Sequence, residues 1–319
     1  MKIVNENEYI NIQTAITIGK YEAMHRGHML MIESAVNYAK SQGLASVVLS
    51  FTPHPAQVLY GKGYKPLFTD AEKAHILEGM TTEGMIAGSD AAGPDYWIYY
   101  PFNSSLAQTS PQNFCRLLKE RFSCRALLVG RGFCFGRNRE GTVETLYTLG
   151  REMGMEIITV PHMSQGDNKI STSQIREFLS KGQVPEANKL LGRPFFVKGI
   201  VQKGRQLGRT IGFPTANIHP EDDKFLPLNG VYAGNVIIGG SLMQGVTNIG
   251  INPTVSEGET VKYKVETHIF DFDADIYGKE IIVELNAFIR PERVFAGLEE
   301  LKKQIKKDAK SAALVYKKF

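Results

Sequence analysis

Two histidines with a glycine between them, His25-Arg26-Gly27-His28, follow an apolar run and precede a helical pattern. Three chemistries suit the pair. Zinc would take both imidazoles, but it needs further ligands, and no cysteine or acidic residue stands at a suitable spacing. Packing would bury the rings as ordinary core side chains. A phosphate would exploit position, because the free N–H groups and the dipole at a helix start both attract anions. Gly27 would then let the anion approach the backbone, and two imidazoles on one turn would donate to the oxygens of a triphosphate. A second polar cluster, "ISTSQIR" (Ile170–Arg176), sets Ser171, Thr172 and Ser173 at a helix start with Arg176 one turn later. It reads either as an ordinary N-cap with a solvated arginine or as an anion clamp for a leaving pyrophosphate.

A third cluster is "KGRQLGRTIGFPTAN" (Lys203–Asn217). Its glycines and basic residues, Gly204, Arg205, Gly208, Arg209, Thr210 and Gly212, form a turn able to wrap phosphates with backbone N–H groups. The Thr215 hydroxyl and the Asn217 carbonyl are neutral oxygens. They suit magnesium, which takes few protein ligands when phosphates and water supply the rest. The plainer alternative is a Gly-Pro turn joining two strands. Downstream, "KYKVETHIFDF" alternates Tyr263, Val265 and Ile269 with Lys264, Glu266 and His268, which puts Glu266 on a polar strand face. A solvated strand carboxylate is the ordinary reading there, and His268 is read as its neighbour.

These clusters need elements to hold them. The chain has 319 residues, beyond the usual reach of one hydrophobic core, so two domains are expected. A charged fraction of 22% and a net charge of +4 suit a globular protein that handles small polyanions, and they do not argue for nucleic acid. Three cysteines without metal-ligand spacing imply reduced thiols. With no apolar leader and no membrane-length apolar run, a cytoplasmic protein is expected. The tail "LKKQIKKDAKSAALVYKK" reads as a solvated helix face.

Up to about residue 184 strands and helices alternate. "TAITIG" is followed by a helix carrying Ile32, Ala35, Val36 and Ala39 and stopped by Gly43; "ASVVLSF", "YWIYY", "RALLVG" and "EIITV" continue the rhythm. Thr69 with Glu72, and Ser110 with Pro111, mark further helix starts. Such alternation predicts a doubly wound α/β domain with a parallel sheet, whose ligands bind beyond the carboxyl ends of the strands. His25 and His28 lie just past the first such end. From Phe195 the runs "FFVKGIVQ", "VYAGNVII", "LMQGVTNIG", "KYKVETHIFDF" and "KEIIVELNAFI" are strands split by glycine-rich turns, which predicts an antiparallel sandwich or barrel. A helix over 297–309 closes the chain, and the domains are placed at 1–184 and 185–319.

His-x-Gly-His followed by Ile-Ser-Thr-Ser-x-x-Arg resembles the nucleotidylyltransferase superfamily. Together with "FTPHPAQVL", "YPFNSSLAQTSPQNF", "VGRGFCFGRNREG", "EANKLLGRPF" and "GRTIGFPTANI", the chain resembles, over nearly its whole length, the bacterial bifunctional riboflavin kinase/FMN adenylyltransferase family. The resemblance implies a Rossmann-like nucleotidylyltransferase domain followed by a β-barrel riboflavin kinase domain with a terminal helix. It further implies ATP, riboflavin and FMN as partners, magnesium with the ATP, and flavins as substrate and product. No membrane or nucleic-acid partner is implied, and a homo-oligomer is compatible. By resemblance Glu266 is the base that takes the proton of the riboflavin 5′-hydroxyl, and Thr215 and Asn217 hold the metal. His25, His28 and Arg176 would act on the triphosphate, with Gly19, Gly27, Ser171, Thr172 and Ser173 lining its site.

The chain also departs from the family pattern. Gly-Asn-Phe-Asp-Gly-Val-His is replaced by Gly19-Lys20-Tyr21-Glu22-Ala23-Met24-His25, and Gly-Glu-Asp-Phe by Gly130-Arg131-Gly132-Phe133. Ala23 would matter if its position required a positive φ. The segment 82–94 is unlike the family's compact connection. A working but altered adenylyltransferase is expected; the alternative is a kinase whose N-terminal domain binds nucleotide without catalysis.

Overall fold

The computed structural model of the chain describes residues 1–61, 63–83, 93–165, 168–204, 208, 211–251 and 263–316. Its backbone clusters into two units, Met1–Ser171 and Thr172–Phe319. The first runs β1 (Lys2–Val4), β2 (Thr14–Ile18), α1 (Arg26–Gln42), β3 (Ala45–Thr52), α2 (Pro55–Tyr60), α3 (Asp70–Glu83), β4 (Tyr96–Pro101), α4 (Ser104–Ala107), α5 (Pro111–Phe122), β5 (Cys124–Gly130), α6 (Val143–Met153) and β6 (Glu156–Val160), and then a small hairpin, β7 (Ser164–Gln165) and β8 (Asn168–Lys169). Among the described residues the main sheet is wholly parallel, in the order β1-β4-β3-β2-β5-β6. The chain leaves β2 toward β3 and β4, then returns to place β5 and β6 on the other side. The topological switch point therefore falls between β2 and β5, where the expected doubly wound fold places its ligand crevice.

Local chemistry explains the elements. Every residue of β2 is buried, as a central parallel strand requires. One sheet face packs Ile16, Leu49 and Ile98 against Phe114, Leu118 and Leu146 of α5 and α6; the other packs Ala15, Ala126 and Leu128 against Ala35 and Ala39 of α1. Gly43 ends α1 in the left-handed region at φ 64°, and its N–H bonds back to Ala39 and Lys40. The expected capping box opens α3, with the Thr69 N–H on Glu72 Oε2 at 3.0 Å and the Glu72 N–H on Thr69 Oγ1 at 3.3 Å. Ser110 caps α5 with Pro111 in its first turn. Most of the segment 82–94 that departs from the family lies outside the described residues.

The second unit runs α7 (Thr172–Ser180), α8 (Val184–Leu191), β9 (Phe195–Gln202), β10 (Ala216–Ile218), β11 (Gly230–Ile238), β12 (Ser241–Ile251), β13 (Tyr263–Ile269), β14 (Glu280–Leu285), β15 (Ala287–Pro291) and α9 (Leu298–Tyr316). The strands follow the order β12-β13-β10-β9-β14-β11, and a further pairing of β11 with β12 closes the ring. Of the two antiparallel architectures expected, this is the barrel, and closure removes the sheet edges. One strand expectation is corrected. "KEIIVELNAFI" is two strands, because Asn286 turns its N–H to the Ala233 carbonyl at 2.8 Å and shifts the chain from β14 to β15. The terminal helix extends past residue 309 to Tyr316. Asp308 ties it to the barrel by taking a forked pair from Arg290, at 3.0 Å from Nε and 2.7 Å from Nη2.

Candidate active sites

At the carboxyl end of β2 the chain makes a tight loop and enters α1. His25 is the N-cap residue: its backbone is extended and its Nδ1 accepts the His28 N–H at 3.2 Å. The imidazoles of His25 and His28 stack with ring centres 3.7 Å apart and planes 15° from parallel. A Cβ on Gly27 would stand 3.2 Å from the His25 ring and 3.8 Å from Met163, so glycine leaves that ring its place. Packing and anion binding are thus not exclusive. His25 is buried, and its Nδ1 is used as a cap. Among the described residues no three His, Cys, Asp or Glu side chains converge to form a metal cage.

The lead-in Lys20–Met24, where the chain departs from the family pattern, has larger side chains in place of smaller ones. The two left-handed positions are Tyr21 (φ 43°) and Met24 (φ 45°), not Ala23. Alanine therefore carries no backbone strain at the position where the family has glycine. Tyr21 turns into the core, its hydroxyl 2.7 Å from Thr17 Oγ1 and its ring edge-on to His28 at 5.4 Å. A Cβ on Gly19 would come 2.9 Å from the Tyr21 ring, so Gly19 is required by packing. Glu22 is also buried, accepts a hydrogen bond from the Tyr64 hydroxyl, and lies 3.6 Å from His54 Nε2. His54 caps α2 through Nδ1 and stacks on Tyr64. Tyr21, Glu22 and Met24 are thus all buried, while Lys20 stays exposed.

Across the switch point, Gly130 ends β5 and Gly132 follows it. A Cβ on Gly130 would lie 3.5 Å from the His162 ring, and one on Gly132 would lie 3.8 Å from its Nε2. His162 is a neighbour of the crevice that no motif announced. Arg131 is exposed. Phe133 and Phe135 stack at 5.6 Å beside Phe114.

Of the second cluster, Ser171 ends the first unit, whereas Thr172, Ser173 and Arg176 lie on α7 of the second. The Arg176 guanidinium stacks over the Phe225 ring at 4.8 Å.

In the barrel, alternation along β13 does what period two predicts. Val265, Thr267 and Ile269 are buried, while Lys264, Glu266 and His268 face a cavity of about 370 Å³. Phe213, Val246, Phe295, Leu301 and Ile305 add apolar walls to that cavity. Strand register places Glu266 between Asn217 on β10 and Asn248 on β12. His268 Nδ1 lies 2.8 Å from the Pro214 carbonyl, which accepts only, so that nitrogen carries the proton and the ring anchors the turn. Thr215 borders this cavity and also a second one of about 240 Å³, lined by Asn217, Asp273, Asp275 and Tyr277.

Asn217 is oriented for an electron-poor guest. Its Nδ2 donates to the Thr215 carbonyl at 3.2 Å and lies 3.3 Å from Thr215 Oγ1. Its buried Oδ1 takes no hydrogen bond among the described residues. Gly204 lies over it so closely that a Cβ would stand 2.9 Å from the carboxamide. An orphaned carbonyl oxygen beside a threonine hydroxyl fits the donor set of a hard cation. Gly208 accepts from the N–H groups of Ile211 and Phe213 at 3.2 and 2.7 Å, and a side chain there would collide with the Phe213 carbonyl. Gly212 takes a φ of 82°. Arg205, Arg209 and Thr210 lie outside the described residues. Sequence reasoning passed over Asn248 and Glu292, whose side chains meet at 3.1 Å on the rim of the larger cavity; their nearness depends on strand register.

Paired imidazoles at the switch point of a parallel sheet, joined in one chain to a barrel with a carboxylate near two neutral oxygen donors, suit an enzyme that moves pieces of nucleoside triphosphates. Comparison with known proteins narrows the class. The family model for FAD synthetase matches residues 7–174, and that for riboflavin kinase matches residues 191–316. A bifunctional riboflavin kinase/FMN adenylyltransferase of Bacillus subtilis is 35% identical over 303 residues, covering 94% of this chain and 92% of its own. The Escherichia coli K12 protein of that name is 34% identical over 299 residues, covering 93% and 91%. The chain belongs to the bifunctional riboflavin kinase/FMN adenylyltransferase family. With both models matched, the two-activity reading holds over a kinase alone. A solved structure titled as a macrolide-efflux protein from Streptococcus pneumoniae has the same fold, with a TM-score of 0.81 at 27% identity over 96% of this chain and 97% of its own. Among the described residues no helix is long and apolar enough to cross a membrane.

Proposed function

We propose that the barrel transfers the γ-phosphoryl of ATP to the 5′-hydroxyl of riboflavin, with Glu266 as general base. The observation that carries the assignment is the strand register, which sets Glu266 directly opposite Asn217, with Thr215 at the boundary of two cavities. The larger, partly aromatic cavity suits an isoalloxazine ring, and the smaller suits the nucleotide. Glu266 accepts the hydroxyl proton as the oxygen forms its bond to phosphorus, and the bond to the ADP oxygen breaks. Thr215 and Asn217 would hold the magnesium of ATP, which supplies charge compensation on the phosphates. Gly204, Gly208 and Gly212 keep the turn close enough for backbone N–H groups to reach those phosphates. Arg205, Arg209 and Thr210 complete that loop in the sequence-based proposal.

In the first unit, the proposed reaction is attack of an FMN phosphate oxygen on the α-phosphorus of ATP with release of pyrophosphate. The nucleophile is already an anion, so the task is positioning and charge stabilisation. His25 and His28 at the start of α1 donate to phosphate oxygens, and Gly19 and Gly27 keep the approach open. The pyrophosphate clamp of Ser171, Thr172, Ser173 and Arg176 rests on the sequence alone, since the last three lie on α7 of the second unit.

The test is Glu266→Gln in the full chain, with products of riboflavin, ATP and magnesium separated chromatographically. FMN formation should fall by roughly 10²- to 10⁴-fold, while ATP binding and FAD formation from supplied FMN persist. Parental FMN formation would remove Glu266 as the base.

A further inference from the structure

Glu266 is not alone on its strand face. Lys264, two residues earlier and therefore on the same side of β13, places Nζ 2.5 Å from Glu266 Oε1. Both line the larger cavity, and both are partly exposed, at 25% and 30% of the side chain. Lys264 also stands opposite Gly250 of β12. Gly250 has no side chain to shield it, and the Glu292 carboxylate fills the space where a Cβ would project. Glu292 is held by Asn248 at 3.1 Å, and it makes no ion pair with Lys264 among the described residues. Among the described residues the ammonium thus has one carboxylate partner, and that partner is the proposed base.

We propose that Lys264 is a positioning residue for the kinase reaction, handing its charge from Glu266 to the phosphate ester as the phosphoryl group arrives. This rests on the reading of Glu266 as base. Before transfer, Lys264 fixes the Glu266 carboxylate in one orientation and leaves its other oxygen to accept the hydroxyl proton. During transfer the proton moves to Glu266, the hydroxyl oxygen bonds to the γ-phosphorus, and the bond to ADP breaks. Glu266 is then neutral and no longer needs a cation. The new FMN phosphate carries the negative charge in the same cavity, and the ammonium turns to it. Lysine suits this exchange because its compact charge sits on a flexible stem that serves two partners in turn.

The consequence is a preference of the site for product over substrate that depends on Lys264. It is tested with Lys264→Met and Lys264→Arg in the full chain, each assayed for kcat, for riboflavin KM, and for affinity toward FMN and riboflavin by flavin fluorescence. Glu266→Gln is run in parallel. Lys264→Met should lower kcat on the order of tenfold to a hundredfold, less than the loss of a buried oxyanion donor because water screens the pair. Riboflavin KM should hold within about twofold, while FMN affinity drops roughly tenfold, as expected for a lost charge-assisted hydrogen bond. Lys264→Arg should restore most of both. A Lys264→Met protein with parental kcat, or with FMN and riboflavin affinities weakened equally, overturns the handover. If Glu266→Gln is inactive in that case, only the role of Lys264 fails; if Glu266→Gln is fully active, the assignment of the base fails with it.

Discussion

His25 serves two purposes that one substitution confounds and a pair of substitutions separates. Its Nδ1 accepts the His28 N–H at 3.2 Å, so the ring caps α1. Its Nε2 is the proposed phosphate donor, and the ring stacks on His28 at 3.7 Å. Replacement by alanine removes both functions. Loss of the cap costs about 1 kcal/mol, and in a unit the size of Met1–Ser171 this lowers Tm by about 2–4 °C. Asparagine is among the strongest N-cap residues, so His25→Asn keeps the cap and should unfold within about 1 °C of the parent. It cannot supply the imidazole donor. FAD formation from FMN and ATP should therefore fall by about 10²- to 10³-fold in both variants, the loss typical of one donor to transition-state oxygen. FMN formation from riboflavin, which uses the barrel, is the internal control and should stay at the parental rate. The assays are thermal unfolding and chromatographic separation of flavins. A His25→Asn protein that makes FAD normally would reduce His25 to a helix cap, and unchanged Tm in His25→Ala would refute the capping energy.

Two further outcomes follow from the buried charges. Removing Asp308 leaves Arg290 without its forked partner, 2.7 and 3.0 Å away. Asp308→Ala should cost about 3 kcal/mol, the low end for breaking a buried pair because Arg290 keeps some contact with water, and should raise riboflavin KM by loosening α9 at the cavity; an unchanged unfolding midpoint would contradict this. Glu33 on α1 is buried with Oε1 unpartnered among the described residues, and desolvation raises its pKa above the usual carboxylate value. The folded state then holds the proton more tightly than the unfolded chain, so stability falls as pH rises from the unfolded value near 4.5 through the raised folded one. Glu33→Gln should raise Tm at pH 7 and leave it near parental at pH 4, and equal effects at both pH values would refute the account.

Much of this protein was legible in one dimension. Period two along Tyr263–Ile269 put Lys264, Glu266 and His268 on one face, and the cavity is on that face. Alternating strands and helices implied the parallel sheet, and caps such as Thr69 and Ser110 act within three residues of themselves. Local hydrogen bonding and side-chain periodicity are properties of neighbouring residues, so the amino-acid order alone determines them. What lay beyond reach involves partners far apart in the chain. The pairings of Glu266 with Asn217 and Asn248 require strand register, and Glu292, just past the end of β15, comes beside Gly250 of β12 only in the folded barrel. In the irregular lead-in Lys20–Met24 no periodicity assigns a direction to a side chain. Folding sends Tyr21 to Thr17 and Trp97, and Glu22 to His54 and Tyr64. The residue types set which chemistry was available; the closure of the barrel and the burial under the loop decided which groups meet to perform it.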